Sequence, residues 1–152
     1  MNPIVIIGLG NLLKSDEGVG IHVLRALAAG PLDLPGADLV DAGASGMSAL
    51  HAMANRRKAI FVDCAFMGEE PGAVRRFTPS EVASRKELTG FSLHEGDLLE
   101  VIALSRRLGE CPEQIVIFGI QPQHVGPGEK LSPALEQRLE KYAEMIRSEA
   151  AR

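Results

Sequence analysis

The sequence is poor in cysteine and in aromatic residues. Its 152 residues include two cysteines, one tyrosine, five phenylalanines and no tryptophan. Two cysteines are too few for a disulfide framework, so we expect a cytoplasmic protein with reduced thiols. The scarcity of aromatic rings leaves no platform on which nucleic-acid bases would stack.

Long hydrophobic runs are also missing. The longest runs from Pro3 to Leu13, is interrupted by Asn11 and is followed by Lys14. A membrane-spanning helix needs about 20 apolar residues. The basic start and small-residue cleavage site of a secretory signal are absent as well, so we expect no membrane insertion and no secretion.

A basic excess is the third feature that the chain lacks. Sixteen basic and twenty acidic side chains give a net charge of -4, which disfavours a general nucleic-acid binder. With 45% hydrophobic and 24% charged residues, the composition is that of a globular protein. We expect one domain over residues 1–152, with a core large enough to fold without a disulfide or a metal.

Apolar, β-branched runs alternate with segments of helical periodicity. Strands are predicted at 3–8, 37–41, 59–63, 73–77 and 114–119, the fourth of them an edge strand. Helices are predicted at 16–29, capped by Asp16, at 45–55, at 94–108, and from Pro133 to near the end, whereas 78–91 is predicted to be irregular apart from one helical turn. This order indicates an α/β fold, doubly wound, with a mostly parallel sheet of about five strands and helices on both faces.

Several acids and histidines fall where such a sheet binds ligands, beyond the carboxyl ends of the strands. Glu17 follows the first strand, and Asp41 and Asp63 close the second and third. His94 begins a predicted helix after a loop long enough to return to the same edge, and His124 follows the last strand.

Carboxylates gathered in one partly buried place repel each other unless some are protonated or a cation lies among them. Two carboxylates and an imidazole suit zinc, nickel, manganese or iron, with coordination positions left for water or substrate. A simpler interpretation is also open. Asp41 and Asp63 can satisfy backbone amides, Glu17 can interact with a helix dipole, and His94 can be a surface residue.

Common catalytic motifs are not complete in this chain. Gly8-Leu-Gly10 begins like a dinucleotide fingerprint, but Leu13 stands where the third glycine is required. His94-Glu95 lacks the second histidine of a zinc-protease helix, and no nucleophile elbow is present. Cys64 is predicted to be a buried small hydrophobe rather than a nucleophile.

Taken together, several blocks resemble the hydrogenase maturation proteases, endopeptidases that trim the large-subunit precursor of nickel–iron hydrogenases. The matching blocks are Gly8-Leu-Gly-Asn-Leu-Leu-Lys-Ser-Asp-Glu-Gly-Val-Gly20, Asp41-Ala-Gly-Ala-Ser-Gly46, Val62-Asp-Cys-Ala65, Ser92-Leu-His94, Phe118-Gly-Ile-Gln-Pro122 and Leu131-Ser-Pro133. They occur in the family's order and cover nearly the whole chain.

The resemblance implies that Glu17, Asp63 and His94 are nickel ligands and that Asp41 serves cleavage or substrate fit. We therefore expect Asp41, Asp63 and Glu17 to be the catalytic carboxylates. The nickel is expected to arrive on the precursor, which loses a short C-terminal tail, rather than to be held permanently. The precursor is the expected partner, and a monomer is the simplest state for a site that must admit a large protein.

Two other functions are compatible with the sequence. A maturation chaperone would bind nickel or the precursor without cutting it. Peptidyl-tRNA hydrolases share the opening Gly-Leu-Gly-Asn, but they continue differently from Leu12-Leu-Lys-Ser-Asp-Glu17, and the acidic balance disfavours tRNA. The segment 78–91, with Arg85 and Lys86, is a candidate for contacting the precursor because long loops are often functional. A solvated connection without a partner is an equally good interpretation of this segment.

Overall fold

The computed structural model describes residues 1–30, 34, 36–88, 92–93 and 98–152. Within them, the strands are β1 (Ile4–Leu9), β2 (Ala37–Gly43), β3 (Lys58–Phe66), β4 (Val74–Phe77), β5 (Ser92–Leu93) and β6 (Gln114–Ile120). The helices are α1 (Val19–Ala29), α2 (Gly46–Met53), α3 (Pro79–Leu88), α4 (Leu98–Arg107), α5 (Pro133–Glu136) and α6 (Leu139–Ala150). A 3-10 turn, Asp16–Gly18, leads into α1.

The main sheet has the strand order β2-β1-β3-β6-β4. β1, β2, β3 and β6 are parallel, and β4 closes one edge antiparallel to β6. The short β5 pairs antiparallel with the end of β3. The prediction of a doubly wound, mostly parallel sheet is confirmed, as is the assignment of β4 to an edge.

Alternating side chains of the central strands point to opposite faces and form two separate cores. Ile6, Ile60 and Val62 pack with α1 and α6 on one face. Val5 and Phe61 pack with α2 and α4 on the other. Both faces of the sheet are therefore covered, which explains why its strands are continuous apolar runs.

The prediction that 78–91 is irregular apart from one helical turn is wrong for most of the segment. Pro79–Leu88 forms α3, and residues 89–91 lie outside the described part of the chain. Thr78 and Glu81 form a capping box, in which the Thr78 amide donates to Glu81 Oε1 at 2.9 Å and the Glu81 amide donates to Thr78 Oγ1 at 3.3 Å. The helix thus begins with a standard local signal.

The terminal helix is interrupted once. Pro133 occupies its first turn as predicted, but α5 ends at Glu136 and α6 begins at Leu139. No helix in the described residues is both long and apolar enough to cross a membrane.

Candidate active site at the carboxyl edge of the sheet

Glu17 lies in the 3-10 turn between β1 and α1, and its backbone is held against the glycine-containing loop after β1. The Asn11 amide donates to the Glu17 carbonyl at 3.2 Å. Gly10 has a φ of 128°, and a Cβ at this position would lie 1.9 Å from the Glu17 carbonyl oxygen. Glycine is therefore required at position 10 for the turn that carries Glu17 to pack this closely.

Close packing also brings the start of α1 onto β3. A Cβ on Gly20 would lie 2.3 Å from the Val62 carbonyl oxygen and 2.6 Å from that of Leu9. The absence of a side chain at Gly20 lets the helix approach the two strands at the level of Val62. The next residue of β3 is Asp63, so this contact sets the Glu17 turn beside the end of β3.

Asp63 is a fully buried carboxylate, 0% exposed, within β3. It lies on the same face of β3 as Phe61 and Ala65, whose side chains belong to the core beneath α2 and α4. The Cys64 amide donates to Asp63 Oδ1 at 2.8 Å. Glu17 is half-buried, and its Oε2 atom is buried.

The carboxylates of this region affect the pKa of the Cys64 thiol. Burial raises its pKa, and the negative charges of Asp63, Glu17 and Asp16 raise it further. Cys64 is fully buried, which confirms the prediction of a buried small residue, and the raised pKa disfavours the thiolate that a nucleophile needs.

Buried carboxylates that share one edge of a sheet are a donor set that fits a divalent cation. His94, the third predicted ligand, lies outside the described residues, although β5 sets its chain neighbour Leu93 opposite Ala65 of β3. Among the residues that are described, no group of three histidine, cysteine, aspartate or glutamate side chains could hold a metal ion. The ligand set of Glu17, Asp63 and His94 therefore stays a prediction.

Asp41 lies at the same edge but apart from the buried carboxylates. Its side chain is exposed, and Oδ1 accepts a hydrogen bond from the Gly43 amide at 2.9 Å. Asp41 pairs with Gly8 of β1, which pairs with Val62 of β3. Two strand spacings separate Asp41 from Val62, or about 10 Å between Cα atoms. The backbone thus holds Asp41 in a different place from Asp63.

His124 is also exposed at this edge, in the segment that follows β6. Its main chain is fixed, because its amide donates to Asp16 Oδ2 at 2.9 Å and its carbonyl accepts from the Asp16 amide at 3.2 Å. Its role as a substrate or metal contact stays a prediction.

Comparison with known proteins decides the family. A model of the hydrogenase maturation protease family matches residues 21–149. The chain belongs to the hydrogenase maturation protease family.

Individual relatives of the chain agree with that assignment. It is 28% identical over 144 residues to the hydrogenase 2 maturation protease of Escherichia coli, covering 94% of this chain and 87% of that protein. It is 29% identical over 143 residues to the hydrogenase expression/formation protein HupD of Thiocapsa roseopersicina, covering 93% of this chain but only 65% of that longer protein. The structure of the hydrogenase maturating endopeptidase HybD from E. coli superposes with a TM-score of 0.80 at 29% identity, covering 96% of this chain and 90% of that one.

The structure corrects the role predicted for Asp16. Asp16 does not cap α1, whose N-cap is Gly18 without a side-chain cap. Its carboxylate instead accepts hydrogen bonds from Gln123, His124 and Ser132. These partners lie more than 100 positions further along the chain, so no local pattern indicates them. The only signal in the sequence is that family-like blocks occur around residues 16, 121 and 132.

Replacing Gly10 by alanine is expected to destabilise the protein and displace Glu17. The new Cβ would overlap the Glu17 carbonyl, and the residue would have a φ that is disfavoured for alanine. Together these two effects cost about 3 kcal/mol. Urea unfolding measures the loss. Gly109→Ala is the matched control, because Gly109 also has a positive φ, 71°, but has nothing within 4 Å of a Cβ. A loss at position 10 no larger than that at position 109 would contradict the packing argument.

Proposed function

We propose that this chain is an endopeptidase that removes a short C-terminal tail from the nickel-loaded large-subunit precursor of a nickel–iron hydrogenase. The observation that carries the proposal is the placement of the Glu17 turn, packed against Val62 of β3 through Gly20, beside the fully buried Asp63 at one edge of the sheet. The protein's membership of a protease family supports the hydrolytic chemistry. The names of its relatives, a maturation protease and a maturating endopeptidase, support it further.

Nickel enters this proposal as part of the substrate. Soft thiolate ligands of a precursor hold nickel firmly, whereas carboxylates are hard ligands with weaker affinity for it. Glu17 and Asp63, with His94, would therefore complete the coordination of nickel presented by the precursor and release it with the product. On this proposal the three residues verify that the metal has been inserted before the tail is removed.

Asp41 is the proposed general base. It is exposed to solvent, and its backbone stands about 10 Å from that of Val62, which precedes Asp63. Asp41 would take a proton from water as the water oxygen attacks the scissile carbonyl carbon, and the proton would pass to the leaving amine as the C–N bond breaks. The separation lets one part of the edge hold the nickel-bearing segment while Asp41 acts on a peptide bond further along the precursor.

The setting follows from the same proposal. A precursor that is processed before its hydrogenase is complete implies a cytoplasmic reaction. Its partner would be the large-subunit precursor. A monomer leaves the carboxyl edge open to a protein substrate of that size.

The test is incubation with nickel-loaded precursor, followed by mass spectrometry of the precursor. We expect the precursor to lose the mass of a C-terminal peptide, and metal-free precursor to remain intact. Binding without any loss of mass would instead indicate a maturation chaperone. Equal cleavage of loaded and metal-free precursor would contradict nickel recognition.

Asp41→Asn is expected to slow cleavage by about a hundredfold or more, because asparagine cannot accept the proton from water. The asparagine carbonyl oxygen can still accept the bond from Gly43, so the fold and the binding of the loaded precursor should be retained. Single-turnover cleavage measures the rate, and a pull-down of loaded precursor measures binding. Unchanged cleavage would exclude Asp41 as the base, and a parallel loss of binding would assign it to substrate fit instead.

A further inference from the structure

Asp16 is a fully buried carboxylate, 0% exposed, next to the candidate metal-binding residue Glu17. Its Oδ2 atom accepts hydrogen bonds from the amides of Gln123 and His124, both at 2.9 Å, and from Ser132 Oγ at 2.8 Å. Its Oδ1 atom accepts from the Ser132 amide at 2.7 Å. Four donors from a distant segment thus satisfy one carboxylate.

The donors belong to the segment 121–132 after β6, here called the β6 strap. The main chain of the strap also pairs with the residues before Glu17. The Ser15 amide donates to the Gly128 carbonyl at 2.8 Å, and the Gly128 amide donates to the Leu13 carbonyl at 3.0 Å. Ser15 Oγ adds a bond to the Gly126 carbonyl at 3.0 Å.

The pairing holds Ser15 in an unusual backbone conformation. Its φ is 54°, a value that non-glycine residues adopt only when their surroundings impose it. Ser15 directly precedes the turn that carries Glu17. The strap therefore determines the direction from which the chain enters that turn.

The start of the strap also holds the exit of β3, the strand of Asp63. Gln121 Oε1 accepts hydrogen bonds from the amides of Met67 at 2.7 Å and Glu69 at 3.3 Å. One segment is thus bonded to the turn of Glu17 and to the chain that leaves β3. It fixes the position of one carboxylate-bearing element relative to the other.

Charge gives a reason for an aspartate at this position. A buried carboxylate is costly unless hydrogen-bond donors satisfy its oxygens. The bonds from Ser132, His124 and Gln123 supply these donors at Asp16. A carboxylate offers acceptor oxygens on both sides, whereas the amide of an asparagine would turn a donor toward the strap.

We propose that Asp16 is a positioning residue, which through the β6 strap holds Glu17 in register with Asp63 for binding a divalent cation. The inference rests on the proposed function and assigns no chemical step to Asp16. Outer residues that orient metal ligands typically contribute a factor of 10–100 in metal affinity. We expect a loss of that size for Asp16→Asn.

The experiment uses the metal-free full chain with Ni²⁺ alone as the probe. Calorimetric titration gives the Ni²⁺ affinity, and hydrogen–deuterium exchange of peptides covering residues 13–20 reports the Glu17 turn. Asp16→Asn should weaken Ni²⁺ binding by about 10–100-fold and speed exchange in these peptides. Ser132→Ala, which removes one of the four bonds, should shift both readouts less and in the same direction.

Two controls separate positioning from loss of fold or of charge. Gly109→Ala strains the backbone between α4 and β6, away from the strap, and Glu113→Gln removes one exposed negative charge before β6. Both should bind Ni²⁺ like the unmodified chain when folded according to circular dichroism. If Asp16→Asn does not fold, Ser132→Ala decides the question.

Wild-type Ni²⁺ affinity in folded Asp16→Asn, or in Ser132→Ala when only that variant folds, would overturn the assignment. Faster exchange without weaker Ni²⁺ binding would also overturn it, since that result describes a purely structural residue. The proposed function is tested separately, by mass loss of the loaded precursor with the unmodified chain. If no mass is lost while the variants still weaken Ni²⁺ binding, the proteolytic function fails and the role of Asp16 stands.

Discussion

Asp63→Asn is expected to reduce processing of nickel-loaded precursor to undetectable levels while leaving the fold intact. Asparagine has nearly the same shape, and its carbonyl oxygen can accept the bond that the Cys64 amide now gives to Asp63 Oδ1. What is lost is a buried negative charge at the place where the proposed function requires a cation ligand. Ni²⁺ titration should therefore show no binding, and mass spectrometry should show the precursor at its full mass.

The control is Glu113→Gln, which removes one exposed charge at the amino end of β6. It should process the precursor like the unmodified chain. Full processing by folded Asp63→Asn would remove Asp63 from the site. Processing retained without Ni²⁺ binding would separate cleavage from nickel recognition.

The second large effect concerns stability at the opposite end of β3. Lys58 and Glu149 are 2% and 4% exposed, and Lys58 Nζ donates to Glu149 Oε2 and to the Glu149 carbonyl, both at 2.7 Å. Arg76 Nε donates to Glu149 Oε1 at 2.6 Å. Glu149→Ala should lower the free energy of unfolding by about 3–5 kcal/mol, because it leaves the Lys58 ammonium buried without a counter-charge. Urea unfolding measures this loss.

A double variant tests the electrostatic cause. Lys58→Met with Glu149→Leu removes both buried charges and should recover most of the lost stability, since apolar replacement of a buried pair is often neutral. Glu140→Ala, which removes a 66%-exposed partner of Arg147, should change stability by less than about 1 kcal/mol. A loss that small for Glu149→Ala would show that the buried cluster does not stabilise the protein.

The pH dependence gives the same cluster a second readout. The bonds from Arg76, with those from Lys58, outweigh burial and lower the pKa of Glu149 from 4.5 to about 2. Between pH 2 and pH 4.5 the unfolded chain therefore binds more protons at Glu149 than the folded chain does. The contribution of ionised Glu149 to the free energy of unfolding is complete above pH 4.5 and is lost as the pH falls toward 2. It amounts to about 3 kcal/mol. Acid unfolding of the double variant should lack this component.

Part of the fold is determined by short stretches of sequence. The apolar runs of β1, β3 and β6 are buried on both faces, and this pattern identifies central parallel strands. Ser45 and Pro133 mark helix starts that the structure confirms, with Ser45 Oγ accepting from the Ser48 amide at 3.2 Å. Such signals are readable because their partners lie within a few residues.

The error at 78–91 has a different origin. The helix α3 has few apolar positions, so hydrophobic periodicity did not reveal it, although the Thr78-to-Glu81 spacing of a capping box was present in the sequence. In a polar helix at the edge of a sheet, the capping residues are easier to recognise in the sequence than the few apolar residues of the buried face.

By itself, the sequence determined the α/β order of elements, the edge at which the acidic side chains lie and the resemblance to the family. These depend on periodicity and on residues at the ends of strands, which act locally. Tertiary structure alone decided that Asp16 binds the β6 strap instead of capping α1, and that Asp41 stands two strands from the buried Asp63. Both depend on chain segments that meet only after the sheet has formed, because hydrogen bonds between distant residues leave no period in the sequence.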